Sequence, residues 1–264
     1  MRLISWNVNG RYGSALDRQI AALLDRAPDL VALQEVRAES LHAWLSGLER
    51  AGLRHALDSS GLVQVESLSG REYRRLYFNL IACRWLTRRL AALQLEFPER
   101  YLAATIDRDG GEFEIHNAHL PPGSTRGLVK VEMFEALHNR LAADTERPRI
   151  LCGDFNTPQI EREDGTVEFW GANHPPHTQR WDDAERSVVL GLAANDLADV
   201  FRTVNGYSAT DASWVARRGE KEWGRRYDHI FASRRLTATS CRYLHDWREQ
   251  RLSDHSAIEA DFAG

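Results

Sequence analysis

The chain has 264 residues, of which 43% are hydrophobic and 27% charged, with a formal net charge of −4 and a pI near 6.2. This balance fits a folded globular protein with a sizeable core and excludes a chain too polar to collapse. It also excludes a basic global field, so a nucleic-acid partner would need a local cationic groove.

Arg/Lys-rich runs at 72–77 (EYRRLY), 85–90 (WLTRRL) and 215–229 (VARRGEKEWGRRYDH) are candidates for such a groove, and the first two read more simply as solvated surface. The cysteines, Cys83, Cys152 and Cys241, are odd in number and far apart, which argues against a disulfide framework or a zinc–thiolate site and favours a reducing compartment. No apolar stretch approaches the length of a membrane span and no targeting segment is visible, so the expected location is cytoplasmic, with no membrane partner and no obligate protein partner.

In chain order, Arg2 to Val8 alternates apolar and polar residues as a strand and ends at the turn signal Asn9-Gly10. Ser14 is a candidate cap for a helix carrying Leu16, Ile20, Leu23 and Leu24, and Pro28-Asp29 precedes a second strand, LVALQEV (30–36). This strand–helix–strand unit predicts parallel pairing through a crossover helix. A second helix covers about 40–51 and ends at Gly52.

Strands follow at 77–85, 101–107 and 112–120, the last two joined by a turn at Asp109-Gly110-Gly111. A long helix then carries Leu128, Val131, Phe134, Leu137 and Leu141 on one face, ahead of the strand RILC (149–152). Residues 157–186 read as a long loop, with a helix around 187–195 and C-terminal strands at 227–233, 238–244 and 255–262. The pattern predicts one α/β domain over residues 1–264, with two layers of sheet and helices outside.

Several strands end or begin in polar residues. They include Asn7 and Asn9, Gln34 and Glu35, Asn117 and His119, Asp154 and Asn156 of GDFN, Asp228 and His229, and Ser253, Asp254 and His255. Any one of them is more often a turn or packing residue than a site. Together they mix carboxylate, amide and imidazole at strand termini, where ligands gather in α/β proteins.

Glu35, Asp254 and Asn7 offer hard oxygen donors, which select Mg²⁺ or Mn²⁺ over Zn²⁺. Asp154 is a candidate to orient and deprotonate a water, and Asn156 to donate to a phosphoryl oxygen. His255 is a further donor, its ring held by an acid such as Asp228, and His119 is a second imidazole for the phosphate or the leaving group. Such a set hydrolyses a phosphate ester.

SWNVNG, LQEV, HL, GDFN, YDHIFAS and SDH, in this order and over nearly the whole chain, resemble the endonuclease/exonuclease/phosphatase superfamily. The resemblance implies a four-layered α/β sandwich, with two packed mixed β-sheets flanked by helices, and Mg²⁺ or Mn²⁺ as cofactor. It implies Glu35 as principal metal ligand supported by Asn7, Asp254 as the other metal-side carboxylate, Asp154 as water activator, Asn156 on the phosphate and an Asp228–His255 pair. GSTRGLVKVEMFEAL (123–137) and the SW at 213–214 resemble the exonuclease III and abasic-site endonuclease branch. That branch implies a DNA substrate contacted by Asn9, Arg126, Lys130 and Trp214.

Two features depart from it. His119 before Leu-Pro-Pro is the pattern of DNase I, sphingomyelinases and related phosphoesterases. Arg225 and Arg226 before Tyr227 match poorly with the apolar pocket of abasic-site enzymes. The resemblance thus implies phosphodiester cleavage without carrying abasic-site specificity.

A phosphoesterase of small nucleotides or lipid and inositol headgroups, and an inactive nucleic-acid-binding module, are the alternatives. His174 and His177 sit among prolines that prevent a helix from aligning them, so they read as a substrate-side loop rather than a metal site. Trp170, Trp181, Trp214 and Trp223 are candidates for base stacking or for the core.

Overall fold

In the computed structural model, which describes residues 1–63, 69–70, 76–108 and 110–263, the N-terminal alternation becomes strand β1 (Arg2–Asn7). Leu3 faces one side of the strand and Ile4 and Trp6 the other, all fully buried. Helix α1 (Ser14–Asp25) carries the chain across to β2 (Leu30–Arg37), which pairs with β1 in parallel from Leu3↔Leu30 to Asn7↔Gln34. Ser14 is the first helical residue and its side chain makes no capping hydrogen bond. Helix α2 (Leu41–Arg50) follows, then β3 (His55–Asp58) and β4 (Tyr77–Cys83).

The second half runs through β5 (Leu86–Arg89), β6 (Tyr101–Arg108), β7 (Gly111–His119), α3 (Val129–Ala142) and β8 (Arg149–Asp154). A short ribbon of β9 (Ile160–Glu161) and β10 (Val167–Glu168) leads to α4 (Thr178–Val189), β11 (Ala198–Asp199) and α5 (Val200–Asn205). The hairpin β12 (Trp214–Arg218) and β13 (Lys221–Arg225) precedes β14 (Asp228–Ala232), β15 (Ala238–Leu244), α6 (His245–Glu249) and β16 (Ala257–Phe262).

Among the described residues one mixed six-stranded sheet has the order β15-β16-β1-β2-β4-β3 and the other β11-β14-β8-β7-β6-β5. Each contains one parallel pair, β1/β2 and β7/β8, bridged by a crossover helix, α1 or α3.

Period-two alternation stacks the layers. Leu3, Ala32, Ile115, Ile150, Ile230 and Ile258 point between the sheets and form a shared core. Ile4, Trp6, Val31 and Leu33 point outward against Leu16, Ile20 and Leu23 of α1 and Trp44 of α2. Leu151 and Phe231 point outward on the other side, against Val131, Phe134 and Leu137 of α3 and Trp181 and Val188 of α4. The result is the expected helix–sheet–sheet–helix sandwich.

Residues 72–75 of the arginine run at 72–77 and Asp109 of the expected hairpin turn lie outside the described residues. The expected loop over 157–186 is interrupted by α4, and the helix expected at 187–195 is the end of α4 followed by a 3₁₀ turn at Gly191–Asn195. The charge-dense stretch QRWDDAERSV (179–188) hides a stripe of Trp181, Ala184 and Val188, buried at helical spacing. The edge strands β3 and β5 lack a fully buried face and so carry no apolar alternation. No helix among the described residues is long and apolar enough to cross a membrane, and all three cysteines are buried and free.

The parallel pair β7/β8 closes only because position 153 is glycine. Its φ is 139°, and a Cβ there would sit 1.8 Å from the carbonyl oxygen of Ala118. Gly153→Ala is expected to destabilise the chain by about 3 kcal/mol or more, through backbone strain and loss of this contact. Gly61→Ala, with nothing within 4 Å, is expected to change stability by less than about 0.5 kcal/mol. Urea unfolding of the two variants measures both.

Candidate active site

The inward parity of the shared core extends to the strand ends. Leu3 and Ser5 lead to Asn7 on β1, Ile150 and Cys152 to Asp154 on β8, and Ile115 and Asn117 to His119 on β7. On β14 the same face runs back from Ile230 to Asp228. Register brings them together, because Asp154 pairs with His119 on one side and Asp228 on the other.

Glu35 falls one residue out of this phase. A bulge between Leu33 and Val36 of β2, with Glu35 at φ 56°, returns its side chain to the same edge. Asn9 and Asn156 also have positive φ, 51° and 50°. The backbone is thus least regular where these polar groups converge.

A buried amide layer seals the floor. Gln34 Nε2 donates to Asn117 Oδ1 at 2.8 Å, and Asn117 Nδ2 donates to the carbonyls of Leu33 and Leu80, tying the two sheets together. Above it, Asn7 Nδ2 donates to Glu35 Oε1 at 3.1 Å and to Asp154 Oδ2 at 2.9 Å, while its Oδ1 accepts the Asn9 N–H at 3.0 Å. As placed, Asn7 therefore braces the carboxylates with its N–H groups rather than offering its oxygen beside Glu35.

The Asp154 Oδ1 accepts the Asn156 N–H at 2.9 Å, and the Asn156 side chain donates to Leu120 O. Ser253 Oγ grips the Asn7 carbonyl at 2.7 Å and accepts the His255 N–H, and Trp6 Nε1 donates to the His255 carbonyl. These bonds explain why the Trp-Asn and Ser-Asp-His segments meet.

His255 Nδ1 lies 2.7 Å from Asp228 Oδ2, and its Nε2 lies 3.7 Å from Asp154 Oδ2. Burial alone would lower the His255 imidazole, but Asp228 and Asp154 overcome it and raise its pKa to about 10. His119 Nε2 is 3.5 Å from Glu35 Oε1. Its pKa is held well below 6.5 by burial, helped by the cations Arg100 and His255. One imidazole is thus a cation and the other neutral.

Burial raises Glu35, against the Asn7 hydrogen bond, and pushes Asp154 up to about 7, against the attraction of His255. The ligand atoms of Asp154, Asp228 and His255 lie within 4.8 Å of one another. The Asp228–His255 hydrogen bond occupies two of those three, so the triplet is a hydrogen-bonded relay more than an open metal cage.

These groups face a cleft of about 460 Å³ that is also lined by Arg100, Trp170, Trp214 and Tyr227. Four carboxylates, Glu35, Asp154, Asp228 and the exposed Asp254, face two cations, His255 and Arg100. With the acids ionised the imbalance is that of one divalent cation, and the free donors are hard oxygens of Glu35 and Asp254. The donor set fits Mg²⁺ or Mn²⁺.

A family model described as the Endonuclease/Exonuclease/phosphatase family matches residues 4–255. The chain belongs to the endonuclease/exonuclease/phosphatase family. No curated protein matches it at a significant level. Among solved structures, an AP endonuclease from Archaeoglobus fulgidus is similar at 20% identity and a TM-score of 0.73, over 100% of both chains. The 3' phosphatase NExo from Neisseria bound to a product DNA hairpin is 22% identical with a TM-score of 0.72, again over 100% of both. D. rerio TDP2 complexed with a single-strand DNA product is 17% identical with a TM-score of 0.67, over 100% of this chain and 99% of that one. At these identities the likeness is one of fold.

Endonuclease/exonuclease/phosphatase members are hydrolases that act on phosphodiester bonds and generally use divalent metals. Against the residues expected from that resemblance, Asn7, Glu35, His119, Asp154, Asn156, Asp228, Asp254 and His255 converge on one strand edge, and Trp214 lines the cleft stacked on Tyr227 with ring centroids 5.5 Å apart. Asn9 is half-buried beside Asn7, and Arg126 is exposed but does not line the cleft.

Lys130 is a correction. It is fully buried, 2.7 Å from Glu185, and donates to the Asn156 carbonyl, so it does not reach a surface substrate. Its amphipathic helix turns it inward, and Glu185, which also binds Thr157 and Trp170, supplies its counter-charge.

Arg226 is likewise buried, paired with Glu161 and Asp199, so it does not intrude on the cleft. Trp181 is core, with the His174 ring stacked on it at 3.5 Å, while Trp223 is exposed. Sequence reading missed Arg100, whose guanidinium makes no hydrogen bond or ion pair among the described residues and lines the cleft, and Glu185, whose helix was not anticipated.

In the metal-free protein an NMR titration is expected to find His255 protonated at pH 8 and His119 neutral at pH 6.5, with Asp228→Asn lowering the His255 pKa. Because the folded pKa of His255 exceeds the unfolded 6.5, the pairing's stabilisation is fully present below pH 6.5 and is lost as pH rises through about 10. A neutral His255 at pH 8 would contradict the assignment.

Proposed function

We propose that the chain is a Mg²⁺- or Mn²⁺-dependent phosphodiesterase acting on nucleic acid, a DNA nuclease of the exonuclease III kind. The observation that carries this reading is the Asp228–His255 pair aimed at Asp154, across a cleft from Glu35. In this reading Glu35 with Asp254 would hold the cation, braced by Asn7. When bound, the cation supplies polarisation of a phosphoryl oxygen and stabilisation of charge on the leaving oxygen.

Asp154 orients a water and takes its proton, a role supported by a pKa near neutrality. The His255 imidazolium, held by Asp228, donates to a non-bridging phosphoryl oxygen. Asn156 has one amide hydrogen on Leu120 and the other free for the phosphate. Neutral His119 serves the phosphate or the leaving oxygen from the Glu35 side. Arg100, whose guanidinium lies over the Phe97 ring and makes no hydrogen bond or ion pair among the described residues, would pair with the substrate's negative charge. Trp214 and Tyr227 offer faces to a base or sugar.

The second reading, a small nucleotide or headgroup phosphoester, is favoured by one observation: the burial of Lys130 removes one of the cations assigned to nucleic acid. An inactive binding module is disfavoured because the carboxylates and His255 are all present around one cleft.

A panel of labelled DNA, RNA, abasic-site duplex and small phosphodiesters separates these readings. The expected outcome is DNA cleavage with Mg²⁺ or Mn²⁺, none with EDTA, and a loss of about 10³-fold for Asp154→Ala. Arg100→Ala is expected to raise KM about tenfold, with partial recovery in Arg100→Lys. Cleavage of small esters alone would favour the second reading, and inertness toward the whole panel across divalent metals would overturn both.

A further inference from the structure

A second groove, about 550 Å³ in volume, leaves the cleft at Asp254, which lines both. Its walls carry four arginines: Arg11 from the turn after β1, Arg217 from β12, Arg248 from α6 and Arg251 just beyond it. Two are already engaged. Arg217 pairs with Glu222, and Arg248 donates to the Ala212 carbonyl at 2.6 Å.

The other two are not. Among the described residues neither the Arg11 nor the Arg251 guanidinium makes a hydrogen bond or an ion pair. The Arg11 Nε is moreover buried with no acceptor at all. Arg251 is exposed and held at φ 58°, the left-handed region, at the turn that delivers Ser253, Asp254 and His255. The two unpaired cations thus sit on the segments that also carry the site, one after Asn7 and Asn9, one before Asp254.

We propose that this groove binds the backbone phosphates flanking the scissile diester, through Arg11 and Arg251, so that the substrate is a polynucleotide strand rather than a small ester. The inference rests on the phosphodiesterase reading and deepens it. Planar guanidinium groups match phosphate oxygens in pairs. A chain that places one phosphate in the cleft and further phosphates along a groove continuous with it is a nucleic-acid strand. An acidic peptide would satisfy the arginines but bring no phosphodiester to Asp154. The groove's four arginines stand against Glu222, Glu249 and Asp254, so its positive excess is small and local in a chain of net charge −4.

The test compares the full chain with Arg11→Ala/Arg251→Ala and Arg11→Lys/Arg251→Lys. Binding of a fluorescent single-stranded DNA 12-mer is followed by anisotropy at several salt concentrations without divalent metal, so that it does not depend on turnover. Hydrolysis of bis(4-nitrophenyl) phosphate with Mn²⁺ is the control.

The alanine pair is expected to bind the 12-mer at least about tenfold more weakly, with a log–log salt slope shallower by about 1.4. Its turnover of the small ester should stay within about twofold of the parent, and the lysine pair should recover much of the affinity. Unchanged affinity and slope in the alanine pair would overturn the groove, as would an equal loss of small-ester turnover. If the parent binds the 12-mer through these arginines yet cleaves no nucleic acid, the groove stands and the nuclease reading falls.

Discussion

One amide holds the two halves of the sandwich at the point where chemistry is expected. Asn7, at the end of β1 in the first sheet, donates to Glu35 of the same sheet and to Asp154 of the second. Crowding carboxylates at a buried edge is unfavourable unless donors or cations answer each one. Most of the surrounding structure supplies those answers: Asn9 fixes the orientation of Asn7, Ser253 grips its carbonyl, and His255 brings a positive charge against Asp154 and Asp228. Arg100 answers part of the charge that remains, and in the proposed reading a divalent cation would answer the rest.

The electrostatics are asymmetric by construction. Two buried imidazoles flank the same carboxylate, 3.9 Å and 3.7 Å from Asp154, yet are pushed in opposite directions. Asp228 raises His255, whereas burial, helped by the cations Arg100 and His255, lowers His119 although Glu35 and Asp154 lie close to it. A protonated and a neutral imidazole therefore share one cleft. Behind them the buried Lys130–Glu185 pair fixes the Asn156 loop through its carbonyl, which Trp170 also binds.

Most of the fold was legible because both sheets alternate cleanly. Leu3, Ala32, Ile115 and Ile150 face one way and Ile4, Val31 and Leu151 the other, and this parity carries Asn7, His119 and Asp154 to the same edge. Glu35 was legible as a strand-end acid, but its orientation was not, since it depends on a bulge. Lys130 was misread because a lysine inside an apolar helical stripe resembles surface until its partner is known, and Glu185 lies on a helix hidden by charge. Arg226 was misread for the same reason, because Glu161 and Asp199 are distant in sequence. Arg100 carried no strand-end signature at all. Long-range charge pairing is what a linear reading lacks.

The central claim is that the carboxylate edge built around Asn7 is completed by a divalent cation held at Glu35. Mn²⁺ binding to the full chain, followed by electron paramagnetic resonance near pH 8, tests it without reference to any substrate. The account predicts saturable binding that weakens by about 100-fold in Glu35→Gln, a near-isosteric change that removes the charge and one of the two oxygen donors. Equal Mn²⁺ affinity in the parent chain and Glu35→Gln would contradict it.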